Sequence, residues 1–342
     1  MSSWINGSVV RPRRVWSVTH YALFNWVEYA LRFAMSTIGF DGPKVDFSNG
    51  TSFDFWYFDT VSYHGQSSLT VVFQFGSPNL PVGRGLNTTS TNTVTVSGNF
   101  ANGTSFAKVI EAGTAIVSTS GDGTNGKWGE SGMSWSSTTD MSEYLTSFET
   151  SDDSFKGSFS LKRIAPPRHP CAPPGPGADL EILPGLGWTS AVPDGESVVS
   201  LTVNGEPLEF LGSGYHDKDW GHGRAGPYSI VWTRGVNIDG VHFYSGYASL
   251  QGREATIKCE GVEIVPHLTN KTSPGLPKPF VDRLTLKFHL DDQEEDLEAE
   301  VVPHLVQATG GNFVQYLTNV TVAIGDQSWT GFGVSDFAAF AS

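Results

Sequence analysis

Along most of the chain, apolar and polar residues alternate with period two. That alternation predicts strands over 53–61, 69–75, 93–100, 105–117, 133–136, 144–148 and 154–164, separated by clusters of Gly, Asn and Ser. A second series is predicted over 198–203, 227–236, 241–251, 256–264, 284–290, 298–307, 313–323 and 327–332. One segment departs from the pattern. Leu23, Val27, Ala30, Leu31 and Ala34 recur at helical spacing, which predicts a short amphipathic N-terminal helix over about 22–38. Glu28 and Arg32 inside it make it a poor membrane span, so no integral membrane span is expected.

The strands are not separated by helical patterns of the length a βαβ unit needs, so parallel α/β folds are disfavoured, and Rossmann and P-loop readings with them. Gly121-Asp122-Gly123 and Gly310-Gly311-Asn312 read as hairpin turns. Between 165 and 177 the chain is broken by Pro166-Pro167 and Pro173-Pro174-Gly175-Pro176, which no sheet interior accommodates. This stretch is either a domain linker or a long surface connection. The 342 residues suit about two domains, and 39 Gly and 19 Pro with only 16% charged residues favour barrels or sandwiches over helical bundles.

Charge narrows the partners. A net charge of -14 leaves no clustered Lys and Arg for phosphates, so neither a nucleic acid nor an anionic membrane surface is expected. Cys171 and Cys259 are too few for a zinc framework, and whether they pair is open. Sequons at Asn6, Asn49, Asn87, Asn102, Asn270 and Asn319 point towards the secretory pathway, with a cytoplasmic location as the alternative.

Two segments carry candidate chemistry. In Phe53-Asp54-Phe55-Trp56-Tyr57-Phe58-Asp59, strand alternation puts Asp54, Trp56 and Phe58 on one face and Tyr57 and Asp59 on the other. Each face pairs a carboxylate with aromatic surface, an environment that can make a carboxyl group a hydrogen-bond donor. An ordinary strand whose Asp54 and Asp59 cap turns or pair with an Arg is the competing account. The second segment, Gly212-Ser213-Gly214-Tyr215-His216-Asp217-Lys218-Asp219-Trp220-Gly221-His222-Gly223, is dense in Gly, ionisable and aromatic residues and suits an internal hydrogen-bond network. His216 and His222 have no metal-ligand spacing, and no G-x-S-x-G elbow occurs, so no metal site is expected.

Together the Trp-Tyr-Phe-Asp strand, Gly187-Trp188 and the Gly-Tyr-His-Asp-x-x-Trp-Gly block resemble the fungal Diels-Alderase branch of the hydroxyneurosporene synthase (CrtC-like, AttH-like) family. The resemblance runs from about Val45 to Phe337. Asp219 stands where many relatives carry Asn, and the acidic ending of many decalin-forming members is missing. The resemblance implies an all-β protein of two tandem lipocalin-like antiparallel β-barrel or sandwich domains, divided as 1–224 and 225–342. A boundary at the Pro-rich stretch is the alternative.

It also implies a cofactor-independent pericyclase that performs a stereoselective [4+2] cycloaddition on a lipophilic polyene polyketide or terpenoid. The reaction would be either intramolecular or a hetero-Diels-Alder addition. The polar and acid–base candidates are Asp54, Asp59, His64 and His242, and the pocket candidates are Trp56, Tyr57, Trp232 and Tyr247, with Trp220. Tyr215, His216 and Asp217 would brace the domain junction. A monomer or a homodimer fits equally. A hydratase or lyase like the carotenoid relatives, and a non-catalytic lipophile carrier, are the alternative functions.

Overall fold

The computed structural model describes residues 2–8, 39–44, 53–76, 90–167, 181–183, 186–187, 189–218, 224–225, 228–236, 242–250, 256–269, 280–291, 294–310 and 313–340. Every regular element among them is a strand. The helix expected at 22–38 lies outside the described residues. In chain order the strands are β1 (Ser2–Ser8), β2 (Phe53–Ser62), β3 (Ser68–Gly76), β4 (Asn92–Asn99), β5 (Ser105–Glu111), β6 (Thr114–Ser120), β7 (Gly123–Gly129) and β8 (Met133–Ser137). There follow β9 (Glu143–Glu149), β10 (Phe155–Arg163), β11 (Glu181–Leu183), β12 (Leu186–Gly187), β13 (Thr189–Val203), β14 (Glu206–Lys218), β15 (Arg224–Ala225) and β16 (Tyr228–Val236). The last are β17 (His242–Leu250), β18 (Thr256–Lys258), β19 (Glu263–Thr269), β20 (Phe280–His289), β21 (Asp296–Gly310), β22 (Phe313–Ile324) and β23 (Gln327–Phe340).

All but β11 and β12, which pair with each other, form two large antiparallel sheets. The first runs in the order β5-β4-β3-β2-β14-β13-β10-β9-β8-β7-β6, and the second in the order β18-β17-β16-β1-β23-β22-β21-β20-β19 with β15 against β16 and β23. The start of the chain, β1, thus sits in the middle of the second sheet. The Pro-rich stretch joins β10 to β13, which are neighbours in the first sheet, so it is a connection within that sheet. Cys259, just past β18, is disulfide-bonded; Cys171 lies outside the described residues.

Both sheets share one plan. Their outermost strands are sequence neighbours: β5 and β6 are separated by Ala112 and Gly113, and β18 and β19 by residues 259–262. A sheet whose two edges are joined by so few residues must curl back on itself, the half-closed barrel expected of a lipocalin-like domain. The alternation predicted single strands over 105–117 and 256–264; each is in fact two strands meeting at the open seam. At the first corner the inward positions change from even (Phe106, Ile110, Ala112) to odd (Ala115, Val117), so the phase of the alternation shifts where the chain turns. The bend itself is supplied locally, as at Gly261 with φ +68°.

Each sheet wraps its own core. Trp56, Phe58, Phe73, Trp128, Trp135, Tyr144 and Phe155 fill the first, and Leu284, Leu286, Phe288, Leu297, Val301, Tyr316 and Val322 the second. Trp128 Nε1 donates to the Gln74 carbonyl at 3.0 Å, linking β7 to β3 across the first barrel.

The sheets meet where Val61 packs on Leu317, with Leu305 and Phe332 alongside. The approach is close enough that a Cβ on Gly65 would lie 2.3 Å from the Phe332 ring. Polar side chains join the sheets as well: Ser68 Oγ donates to Gln307 Oε1 at 3.0 Å, and Gln307 Nε2 donates to Thr70 Oγ1 at 2.9 Å.

Candidate functional site

The site is built on two neighbouring strands. β2 and β14 are antiparallel, with Asp59 opposite Tyr215, Phe58 opposite His216, and Tyr57 opposite Asp217. Strand alternation therefore gathers Tyr57, Asp59, Tyr215 and Asp217 on one face, and Trp56, Phe58 and His216 on the other. β2 is buried on both faces from Asp54 onward.

On the first of these faces the four residues form a checkerboard of two phenols and two carboxylates. Tyr57 OH donates to Asp59 Oδ2 at 2.8 Å, and Tyr215 OH donates to Asp217 Oδ2. Within each pair the partners are two residues apart on one strand. The tyrosine rings meet edge to face with centroids 6.3 Å apart. Asp59, Tyr215 and Asp217 are fully buried and Tyr57 is 6% exposed.

The cover over this face includes the second sheet. Gln315 of β22 donates from Nε2 to Tyr57 OH at 3.4 Å, and Val61, further along the same face of β2, touches Leu317 of β22. Because Tyr57 gives its own proton to Asp59, its oxygen can only accept from Gln315, which fixes the orientation of the amide. Gln315 Oε1 is left buried with no hydrogen-bond partner among the described residues. Buried acceptors are nearly always satisfied, so an orphan carbonyl oxygen at a junction of two sheets marks a place for a donor from outside.

Tyr247 of β17 is 1% exposed. Its neighbour Ala248 belongs to the core of the second sheet, so Tyr247 projects from the opposite face, the same face that carries Gln315 and Leu317.

On the other face of β2 a second polar network lies inside the first barrel. Asp41 Oδ1 is 3.1 Å from His216 Nε2, and His216 Nδ1 is 3.0 Å from the Tyr57 carbonyl. Asp41 Oδ2 accepts from Tyr144 OH at 3.2 Å and from Thr124 Oγ1. Trp56 Nε1 donates to the Asp41 carbonyl at 2.9 Å. The imidazole stacks flat on Phe58, centroids 3.9 Å apart. Burial, with the Asp41 carboxylate beside it, holds the Tyr144 phenol well above its usual ionisation range.

The sequence-derived candidates fall into three groups. Asp59, Tyr57, Tyr215 and Asp217 are brought together, and His216 backs them from behind. Asp54 and Trp56 lie on the barrel side, where Asp54 Oδ2 accepts from the Lys44 amide at 2.8 Å and so anchors the loop 39–44. His64 is exposed in the β2–β3 turn, away from the checkerboard; His242 opens β17 opposite Val236 and Trp232 lies opposite Gly246, and their side chains are outside what is described. Trp220 is outside the described residues, as are Asn49, Asn87 and Asn270. Asn102 and Asn319 are exposed. No cluster of three or more metal-ligating side chains occurs among the described residues.

Two contributors escaped the sequence reading. Asp41 precedes any alternating segment and gave no periodic signal. Gln315 is an amide in the first half of β22, where residues 314–318 are all buried, but Thr318, Asn319 and Thr321 follow it in the same strand, so its polarity gave no distinct signal.

Comparison with known proteins matches this architecture. A family model described as Diels-Alderase-like covers residues 27–232. The chain is 31% identical over 278 residues to the quinolone epoxide rearrangement protein asqO of Emericella nidulans, covering 74% of each chain. It is 27% identical over 186 residues to the Diels-Alderase cheD of Chaetomium globosum, covering 53% of this chain and 42% of that one. The crystal structure of CghA with Sch210972 superposes with a TM-score of 0.68 at 14% identity, covering 91% of this chain and 97% of that one.

Proposed function

Since the chain belongs to the Diels-Alderase-like family, we propose that it is a cofactor-free pericyclase that orders a lipophilic polyene at the junction of its two sheets and closes a ring by stereoselective [4+2] cycloaddition. The observation that supports this most directly is the pair of carboxylate–phenol couples, buried on the face of the first sheet that meets the second. We read the domains as 1–224 and 225–342, with β1 contributed to the second.

A cycloaddition needs no proton shuttle. Its barrier falls when diene and dienophile are held in a reactive geometry, and falls further when a fixed dipole stabilises charge developing on a dienophile carbonyl. Apolar Val61, Leu317 and Phe332 supply wall; the Tyr–Asp couples and Gln315 supply fixed dipoles in a water-poor setting where each counts for more. The free Gln315 Oε1 selects a substrate whose polar end offers an N–H or O–H. Turnover of a linear polyene with an activated dienophile by purified protein, without additions, tests the reading. One diastereomer should be enriched over the uncatalysed mixture, and an unchanged isomer ratio would refute it.

A second reading has its own support. The relative with 31% identity over most of its length is named for epoxide rearrangement, and a phenol backed by a carboxylate is suited to moving a proton as an epoxide C–O bond opens. In that case a quinolone epoxide is converted to an isomer of the same mass, with no oxygen taken from labelled solvent. Incorporation of solvent oxygen would instead indicate a hydratase.

A further inference from the structure

The Asp41–His216 contact lies outside the checkerboard, yet His216 is flanked in sequence by Tyr215 and Asp217. Hydrogen-bond bookkeeping at its ring is restrictive. The Tyr57 carbonyl can only accept, so Nδ1 carries a proton. A neutral imidazole would then present a bare Nε2 to Asp41 Oδ1, two lone pairs facing each other at 3.1 Å in a site with no exposure to solvent. One more proton must therefore lie between Nε2 and Oδ1, on one atom or the other. The remaining Asp41 oxygen is turned towards Thr124 and Tyr144, and Trp135 Nε1 donates to Thr124 Oγ1 at 3.1 Å.

We infer that Asp41 and His216 are positioning residues for the two Tyr–Asp couples, acting through this trapped proton. The chain of contacts is short. Asp41 is fixed by Thr124, Tyr144 and Trp56; it fixes the imidazole edge; the imidazole holds the carbonyl of Tyr57, the residue whose side chain reaches through to the opposite face. Stacking on Phe58, His216's cross-strand partner, fixes the ring plane. Thus the side chains that project from β2 and β14 towards the second sheet take their orientation from a network on the barrel side. Reaction rates depend steeply on such placement, with a shift of about 1 Å costing on the order of a hundredfold.

The functional half of this inference rests on the junction being the reactive site, whereas the proton itself does not, so two measurements separate them. In proton and ¹⁵N spectra of the intact protein, one of its nine histidines should show, besides its Nδ1 proton, a second downfield proton on the Nε2 side protected from solvent exchange. That signal should vanish in His216→Phe, which keeps the stacked ring but loses both hydrogen bonds, and move in Asp41→Asn. The Nδ1 proton alone, with no second protected proton between Nε2 and Asp41, would overturn the trapped proton. On a substrate the wild type turns over, His216→Phe and Asp41→Ala should lower kcat by about tenfold or more with KM nearly constant. Asp41→Asn, whose amide can donate to Nε2 while its oxygen accepts from Thr124 and Tyr144, should restore most of what Asp41→Ala loses. Folded His216→Phe with wild-type kcat, or Asp41→Asn as impaired as Asp41→Ala, would overturn the positioning role. If Asp41→Ala does not fold, His216→Phe and Asp41→Asn still decide. If the wild type turns over neither polyene nor epoxide, the proposed reaction fails, and the trapped proton still stands or falls on the spectra.

Discussion

The two faces of β2 are equally buried and both aromatic, yet they differ in how their polar atoms are satisfied. On the barrel face, Trp56 and Phe58 sit among Trp128, Trp135, Phe73 and Tyr144, and Asp41 at the centre bonds Trp56, His216, Tyr144 and Thr124. On the junction face, the carboxylates are bonded by tyrosines of their own strands, and the second sheet supplies an amide with one oxygen left over. The first arrangement suits a core. The second leaves hydrogen-bonding capacity where two sheets meet, which suits a ligand. Burial alone does not separate scaffold from site; the direction and saturation of the hydrogen bonds do.

The largest effect expected from this contrast is on the barrel face. Trp56→Ala removes a fully buried ring that touches Trp128 and Trp135 and orphans the Asp41 carbonyl. It should destabilise the protein by about 3–5 kcal/mol in denaturant titration. A loss below 1 kcal/mol would mean that the aromatic cluster is not the core of the first sheet. Next is Asp59→Asn, which keeps the shape but weakens the Tyr57 bond. Turnover should fall by about a hundredfold while the unfolding midpoint moves far less than in Trp56→Ala. If stability falls and turnover does not, the junction face is scaffold too.

Much of this was legible in the sequence. The alternation in 53–59 by itself separates Asp54, Trp56 and Phe58 from Tyr57 and Asp59, because a period of two leaves no freedom in a strand. The all-β architecture followed from the same signal. Two strands were hidden for a shared reason: β7 and β14 are rich in glycine, which reads as turn. Their glycines instead make room. A Cβ on Gly126 would lie 2.0 Å from the Trp135 ring, and one on Gly214 2.0 Å from Leu161 Cδ1. The seams at Ala112–Gly113 and at 259–262 were missed because apolar residues recur on both sides of each corner with no proline between them, although at the first the phase shifts from Phe106, Ile110 and Ala112 to Ala115 and Val117. Asp41 could not be found at all, since a loop residue reaching a strand 175 positions away leaves no local pattern.

The junction itself can be weakened without touching either face of β2 at its centre. Gln307 bridges Ser68 and Thr70 from the second sheet and is 2% exposed. Gln307→Ala takes the amide donor from the buried Thr70 hydroxyl and leaves Ser68 with Asn99 as its acceptor, which should cost about 1–3 kcal/mol. If the sheets are coupled through this contact, the unfolding transition should also broaden or split; a single, unshifted transition would show that Val61, Leu317 and Phe332 suffice to hold them together.

The smallest effect at neutral pH, and the most specific, concerns Tyr316 in the second core. Burial raises its phenol above the ordinary value of 10.0. In the unfolded chain the group loses its proton near pH 10, while in the folded protein it keeps it. Above that pH the unfolded state therefore binds fewer protons than the folded state, and stability must fall as pH rises. The contribution is fully present below pH 10 and is lost as pH climbs towards the raised folded value. Tyr316→Phe removes the titrating group, so its denaturation midpoint should match the wild type near pH 8 and decline less steeply above pH 10. Tyr144, raised in the same direction by burial and by Asp41, carries the same slope into the first core. The contrast between the two cores then becomes a measurement: the alkaline decline that survives Tyr316→Phe should include the contribution of the barrel face of β2, and adding Tyr144→Phe should flatten it further. Equal slopes in all three proteins would mean that neither phenol is held from water.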